Sequence, residues 1–301
     1  MTGQPDHWLA MWQASAAVGL DAAGAELIHH YSNAIYLLPA QNAVARVTYG
    51  RDAAERVARS QAITRWLAQE YQFPATVPLD NMSPVTVNRA VVSFWAYYPQ
   101  PEGASPLTSG HLAVLLRLLH NAGPPPFSLP AWVALASLHA TVEDPLLSAA
   151  LTGGERTWIM ARITEVRDKI AGLDWPLGVG LIHGDAWAGN LLSFPGASPV
   201  GAVLGDWDWV STGPREVDLI PTWHAAARYG KAATWVSDFI SGYGYDLGQW
   251  DGYPVLMAMR DLVQLTGPIR RARDSDRYRR ALRQRLDSLR CGDITSVWKA
   301  L

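Results

Sequence analysis

Residues 181–192, LIHGDAWAGNLL, set His183, Asp185 and Asn190 inside an apolar run that would otherwise read as a buried strand or helix. Buried polar side chains persist only where hydrogen bonds satisfy them, so these residues demand a shaped loop between two apolar segments. Taken alone, the stretch fits an ordinary loop with a capping aspartate equally well. The next part of the chain narrows the choice. Sixteen positions after Asn190, the segment AVLGDWDWVSTGPREVDL ends an apolar strand on Asp206 and Asp208. The intervening LLSFPGASPVGAVL reads as strand, Pro/Gly turn, strand, a hairpin that would bring Asn190 and Asp206 together. An amide oxygen and a carboxylate converging beside a second aspartate suit Mg²⁺, a hard cation that takes oxygen ligands and is commonly shared with phosphates.

Elsewhere the pattern divides the chain. NAIYLLPAQNAVARVTYG (33–50) predicts two strands around a turn at Pro39 to Asn42, RDAAERVARSQAITRWLAQEY a helix, and TVNRAVVSFWAYY (86–98) a further extended segment. PQPEGASP then resembles a connection, and later stretches such as SGHLAVLLRLLHNAG, EVDLIPTWHAAARYG and the region from Arg260 to Asp293 are helical. The order predicts an α+β protein of two lobes with a ligand cleft between them: a strand-rich N-terminal lobe over 1–98, a hinge at about 93–99, and a helical lobe over 99–301. At 301 residues and 49% hydrophobic, the chain can bury a sizeable core. A net charge of -2 gives no general attraction for nucleic acid or an anionic membrane. Cys291 has no partner for an internal disulfide, and neither a leader nor an apolar stretch of spanning length is visible, so a cytoplasmic protein is expected, with no signal for its oligomeric state.

His183-Gly184-Asp185, a four-residue gap, Asn190, then Asp206 in GDWDW and Asp218 in GPREVDL together resemble the aminoglycoside phosphotransferase and choline kinase family, which shares the bilobal protein-kinase-like fold. The resemblance implies phosphoryl transfer from ATP or GTP to a hydroxyl. Asp185 would orient or accept the proton of that hydroxyl, while Asn190 and Asp206 would hold Mg²⁺ on the nucleotide phosphates. His183 would brace the loop, and Asp218 would hold its backbone from a neighbouring helix. Asp208 could serve metal or substrate, or be a solvated carboxylate.

The first lobe matches less fully. HHYSNAIYLL contains no glycine, leaving Ser32 and Asn33 as candidates for a phosphate-facing turn. No lysine precedes Lys169, so Arg46 in AVARVTYG is the cation expected on the nucleotide phosphates. The family often pairs this cation with a glutamate on the next helix. Here that place falls near Ser60 or Gln61, so Gln61 or phosphate itself would hold Arg46. Backbone groups of Ser93, Phe94, Trp95 and Ala96 would meet the base at an exposed edge.

The acceptor is less legible. Trp209 and Trp223 could stack on a substrate, though core packing explains tryptophans equally well. The stretch 260–290 carries ten arginines and four aspartates; as a solvated helix face it has no bearing on the substrate, but bordering the site it would disfavour a polycation. The leading expectation is a kinase of an aminoglycoside or another antibiotic, hence a resistance function. The alternatives are a metabolic kinase of a sugar, amino sugar or choline-like alcohol, and a nucleotide-binding pseudokinase.

Overall fold

The computed structural model describes residues 7–30, 33–100, 102–103, 105–196 and 199–301. They form two compact units. The first comprises Met1–Leu107, Asn121–Leu129 and Ala188–Val210; the second comprises Thr108–His120, Pro130–Trp187 and Ser211–Leu301.

The first unit is built on a five-stranded antiparallel sheet. Its strands are β1 (Glu26–His30), β2 (Ala34–Leu38), β3 (Ala43–Tyr49), β4 (Val85–Val87) and β5 (Ala90–Ala96), in the order β1-β2-β3-β5-β4. Pro39 opens a short 3₁₀ turn between β2 and β3, and Asn42 closes it in the left-handed region at φ 48°. That conformation is accessible to asparagine at small cost and lets Leu38 pair directly with Ala43. Burial alternates along β2, so Ala34, Tyr36 and Leu38 turn to one face, where helix α1 (His7–Ala17) covers them with Met11 and Ala14. Fully burying a side chain such as Met11, Leu38 or Phe94 contributes about 1.5–3 kcal/mol each. Helix α2 (Ala53–Tyr71) places Ala53 and Val57 against Val91. The extended segment expected over 86–98 is broken in two: Asn88 adopts φ 53°, and the chain turns there between β4 and β5.

The second unit is mainly helical, with α3 (Ser109–His120), α4 (Ala136–Glu143) and α5 (Gly153–Ala171) ahead of a two-stranded sheet. That sheet pairs β6 (Val179–Ile182) with β9 (Ser211–Pro214). The remaining strands, β7 (Leu191–Ser193) and β8 (Ala202–Leu204), form a hairpin in the first unit. Helices α6 (Glu216–Tyr229), α7 (Thr234–Tyr243), α8 (Tyr253–Val263), α9 (Thr266–Arg271) and α10 (Asp276–Arg290) complete the second unit. The leucines at 112, 115, 116 and 119 recur at helical spacing and are all buried, while Gly110, Ala113 and Val114 on another side of α3 approach α7 at Asp238 and Gly242. Among the described residues, no helix is long and apolar enough to cross a membrane.

Candidate active site

In the second unit, β6 delivers the chain to His183, which is fully buried. Asp218, in the first turn of α6 and also fully buried, accepts hydrogen bonds from the backbone N–H of His183 at 2.6 Å and of Gly184 at 2.8 Å. Gly184 stands at φ 84°, a left-handed conformation that glycine adopts without strain. The same carboxylate lies 3.1 Å from His120 Nε2, and His120 Nδ1 is 2.8 Å from the Tyr243 hydroxyl. Three structural elements thus fix the backbone just before Asp185. Behind this loop, Gly180 admits the Arg215 side chain: a Cβ at that position would come within 2.5 Å of its guanidinium. Glu216, also buried, accepts a hydrogen bond from the Leu177 N–H, yet burial raises its pKa.

Asp185 is a third exposed, and Oδ1 accepts 3.1 Å hydrogen bonds from both Nη1 and Nη2 of Arg260 on α8. The sequence does not single out Arg260. It stands at the head of an arginine-rich stretch, and nothing local distinguishes it from the solvated arginines farther along. Trp187 is half exposed, whereas Trp223 is buried and packs edge-on against Phe239, so its ring is spent on the core and not offered to a substrate.

In the first unit, the β7–β8 hairpin pairs Leu191 with Leu204, and the Gly205 N–H donates to the Asn190 carbonyl at 2.8 Å. The hairpin therefore sets Asn190 beside Gly205, one residue before Asp206. Asp206 takes the left-handed conformation at φ 59°, and its carboxylate is roughly half exposed. Among the described residues there is no group of three or more His, Cys, Asp or Glu that could hold a metal ion. Two oxygen-bearing side chains on one hairpin nevertheless suit Mg²⁺, which keeps waters and takes substrate phosphates in place of an all-protein cage.

Arg46 projects from β3 on the face opposite α1, is 11% exposed, and meets both aspartates. Its Nη1 and Nη2 donate to the two oxygens of Asp208 at 2.9 and 2.8 Å, and Nη2 also donates to Asp206 Oδ1 at 2.9 Å. Burial presses its pKa down, but the charges and hydrogen bonds of Asp208 and Asp206 outweigh this and raise it. The Asn33 amide, oriented to satisfy its neighbours, accepts from Arg46 Nε and Nη2 at 3.2 and 2.6 Å and donates to Thr48 Oγ1 at 3.1 Å. Asn33 thus braces Arg46 through its side chain. Ser32 lies outside the described residues.

The partner expected for Arg46 on α2 is not the one found. Gln61 is buried and its Nε2 meets no acceptor, while Ser60 Oγ donates to the Trp207 carbonyl at 3.1 Å. Asp208, 7% exposed, has become the partner. It sits in a 3₁₀ turn, Trp207–Trp209, anchored by buried Trp207 against Phe73, with Trp209 half exposed. The open edge expected at Ser93–Ala96 is also corrected. Ser93, Phe94 and Trp95 are buried, the Phe94 carbonyl accepts from the Leu79 N–H at 3.0 Å, and the Ala96 N–H donates to the Val77 carbonyl at 2.9 Å. With β3 paired along the other side, β5 is flanked on both sides at these positions, by a strand on one and by the irregular segment of Val77 and Leu79 on the other.

A family model described as the phosphotransferase enzyme family, APH, matches residues 25–258. The chain belongs to that family. It is therefore a small-molecule phosphotransferase, an enzyme class whose acceptors are hydroxyl groups. No curated protein matches this phosphotransferase at a significant level. Solved structures share its fold. A microcompartment-associated aminopropanol kinase is 16% identical with a TM-score of 0.69, covering 96% of this chain and 99% of its own. A spectinomycin phosphotransferase, solved with ADP and spectinomycin, is 17% identical with a TM-score of 0.59, covering 95% and 94%. The aminoglycoside phosphotransferase APH(2")-IIia, solved with GDP and kanamycin, is 14% identical with a TM-score of 0.60, covering 95% and 99%.

Proposed function

We propose that this phosphotransferase moves the γ-phosphoryl group of ATP or GTP to a hydroxyl of a small molecule, with residues 1–98 holding most of the nucleotide and 99–301 the acceptor. The observation that carries the reading is the buried guanidinium of Arg46 lying on Asp206, one residue past the Asn190–Gly205 hydrogen bond. A fixed cation and outward-facing oxygen ligands are what a nucleotide polyphosphate requires. Asn190 and Asp206 would hold Mg²⁺, which when bound neutralises phosphate charge and orients the γ-phosphoryl group. Arg46 holds phosphate oxygens. Asp185, which follows the two residues whose backbone Asp218 clamps, orients the acceptor hydroxyl and takes its proton. His183 supports the loop from within the core.

The acceptor class is weighed by Arg260. A guanidinium against Asp185 makes the immediate surroundings of the reacting hydroxyl unwelcoming to an ammonium group and suits a neutral or anionic one. This favours an acceptor whose reacting end carries no ammonium: a sugar-like metabolite, or an antibiotic with a neutral ring at that point. A polycationic acceptor would have to keep its charges away from Asp185.

The test is nucleotide turnover, read as ADP or GDP release, over a panel of aminoglycosides, other antibiotics, hexosamines, neutral sugars and amino alcohols. Asp185→Ala is expected to lower acceptor-stimulated turnover by roughly 10²–10⁴-fold while nucleotide affinity stays within a few-fold. Stimulated turnover that survives the substitution would refute the role of Asp185, and a wild-type chain that binds neither ATP nor GTP would refute the reading as a whole.

A further inference from the structure

The two aspartates of GDWDW differ in their surroundings. Asp206 presents a half-exposed carboxylate, with Oδ1 touched by Arg46. Asp208 is nearly buried, and both of its oxygens are taken by Arg46 in a paired, fork-to-fork contact. Helix α2, where a glutamate would ordinarily restrain such a cation, here sends arginines toward the same spot. Arg56 Nε lies 3.5 Å from Asp208 Oδ2, and Arg59 Nη2 donates to the Asp208 carbonyl at 3.3 Å. Glu55, the acid of the first turn of α2, is exposed. On α2 the side chains nearest this pair are thus cations, and the acid that grips Arg46 lies in the turn just beyond Asp206.

We infer that Asp208 is the positioning residue for Arg46: its carboxylate, not a side chain of α2, aims the guanidinium at nucleotide phosphate, leaving Asp206 alone of the pair to face the metal. The inference rests on the proposed nucleotide site and deepens that reading. Two physical points carry it. First, the Asp208 carboxylate is nearly buried with Arg46 on both oxygens and Arg56 beside one of them, so a metal ion could reach it only by crowding those cations, whereas the Asp206 carboxylate is half exposed and within reach of an ion arriving from solvent. Second, a long side chain such as arginine loses several rotatable bonds when it is fixed, so a partner that fixes it beforehand spares the nucleotide that cost. When phosphate and Mg²⁺ engage, Arg46 can give up its contact with Asp206 and still be held by the pair to Asp208. Arg56 and Arg59 remain beside Asp208 during that exchange and help to keep its carboxylate in place.

The full chain is titrated with ATP and with GTP by calorimetry, with and without Mg²⁺, as wild type, Arg46→Met, Asp208→Asn, the double variant and Asp206→Asn. Each of the first two substitutions is expected to weaken nucleotide binding roughly tenfold to a hundredfold, with or without metal. The double variant should bind no more weakly than Arg46→Met alone, because Asp208 has nothing to aim once the guanidinium is gone. The Mg²⁺ concentration at half effect should shift in Asp206→Asn and stay put in Asp208→Asn, a separation that mere loss of packing would not produce. If Asp208→Asn fails to fold, Arg46→Met and the charge-neutral double variant still provide the comparison. The inference is overturned if the double variant binds much more weakly than Arg46→Met, if Asp208→Asn shifts the Mg²⁺ midpoint, or if it binds nucleotide as the wild type does. A wild-type chain that ignores both nucleotides would take down the functional reading and this inference together, whereas normal binding indifferent to Asp208 would take down only the latter.

Discussion

Two backbone amides and one imidazole depend on the carboxylate of Asp218. Asp218→Ala would leave the His183 and Gly184 N–H groups without their acceptor in a site closed to water. The expected cost is about 3–5 kcal/mol, readable as a shifted urea midpoint. Because the clamp also sets where Asp185 stands, any folded fraction should lose kcat more than nucleotide affinity. Arg260 permits a finer test. Arg260→Gln keeps a hydrogen-bond donor but removes the charge on Asp185, and a displaced carboxylate should slow acceptor-stimulated turnover on the order of 10²-fold. Nucleotide affinity should hold, Arg260→Lys should recover part of the rate, and an acceptor bearing an ammonium group near the reacting hydroxyl should be tolerated better by Arg260→Gln than by wild type. An unchanged rate in both variants would show that the pair with Asp185 is incidental.

At the scale of elements, the sequence discloses whatever local chemistry enforces. Pro39 and Asn42 announce a reversal whatever surrounds them, and the Pro/Gly stretch after Phe194 announces another, so the β2–β3 and β7–β8 hairpins are legible together with the neighbourhood of Asn190 and Asp206. The break at Asn88 is not, because a single left-handed residue inside an apolar stretch has no periodic signature. Nor is the pair between Arg46 and Asp208, separated by 162 positions: local patterns speak only for residues a few places apart. The edge of β5 is hidden for the same reason, since its occupant is the irregular segment around Val77 and Leu79. Helix α5 illustrates a start signal carried by two residues. Thr152 accepts from the Glu155 N–H, and Glu155 accepts from the Thr152 N–H in return. Glu155 is also bound by Arg283 of α10. Thr152→Ala should cost about 0.5–2 kcal/mol in chemical denaturation, with catalytic constants unchanged.

The molecule as a whole should register acid through its second unit. His224 is buried beside Asp261 and Arg228, with Nε2 3.1 Å from Asp261 Oδ1, and burial lowers its pKa below the ordinary 6.5. Folded protein therefore binds this proton less readily than unfolded protein does. Its contribution to stability is complete above pH 6.5 and is lost as pH falls from there toward the folded value, with a slope of at most about 1.4 kcal/mol per pH unit. Unfolding followed from pH 7.5 to 5 should show this decline, and His224→Gln should flatten it. Trp298 closes the same region: its ring lies 4.7 Å from the Arg228 guanidinium and 5.4 Å from that of Arg285, and its Nε1 donates to Ser288. The discontinuous make-up of the first unit has a bearing on biosynthesis. Residues 188–210 contribute a hairpin, a buried tryptophan and the acid that grips Arg46, yet they are translated some ninety positions after the five-stranded sheet is complete. A nascent chain arrested near residue 107 should accordingly remain protease-sensitive, and resistance of that half should appear only once Val210 has cleared the ribosomal exit tunnel.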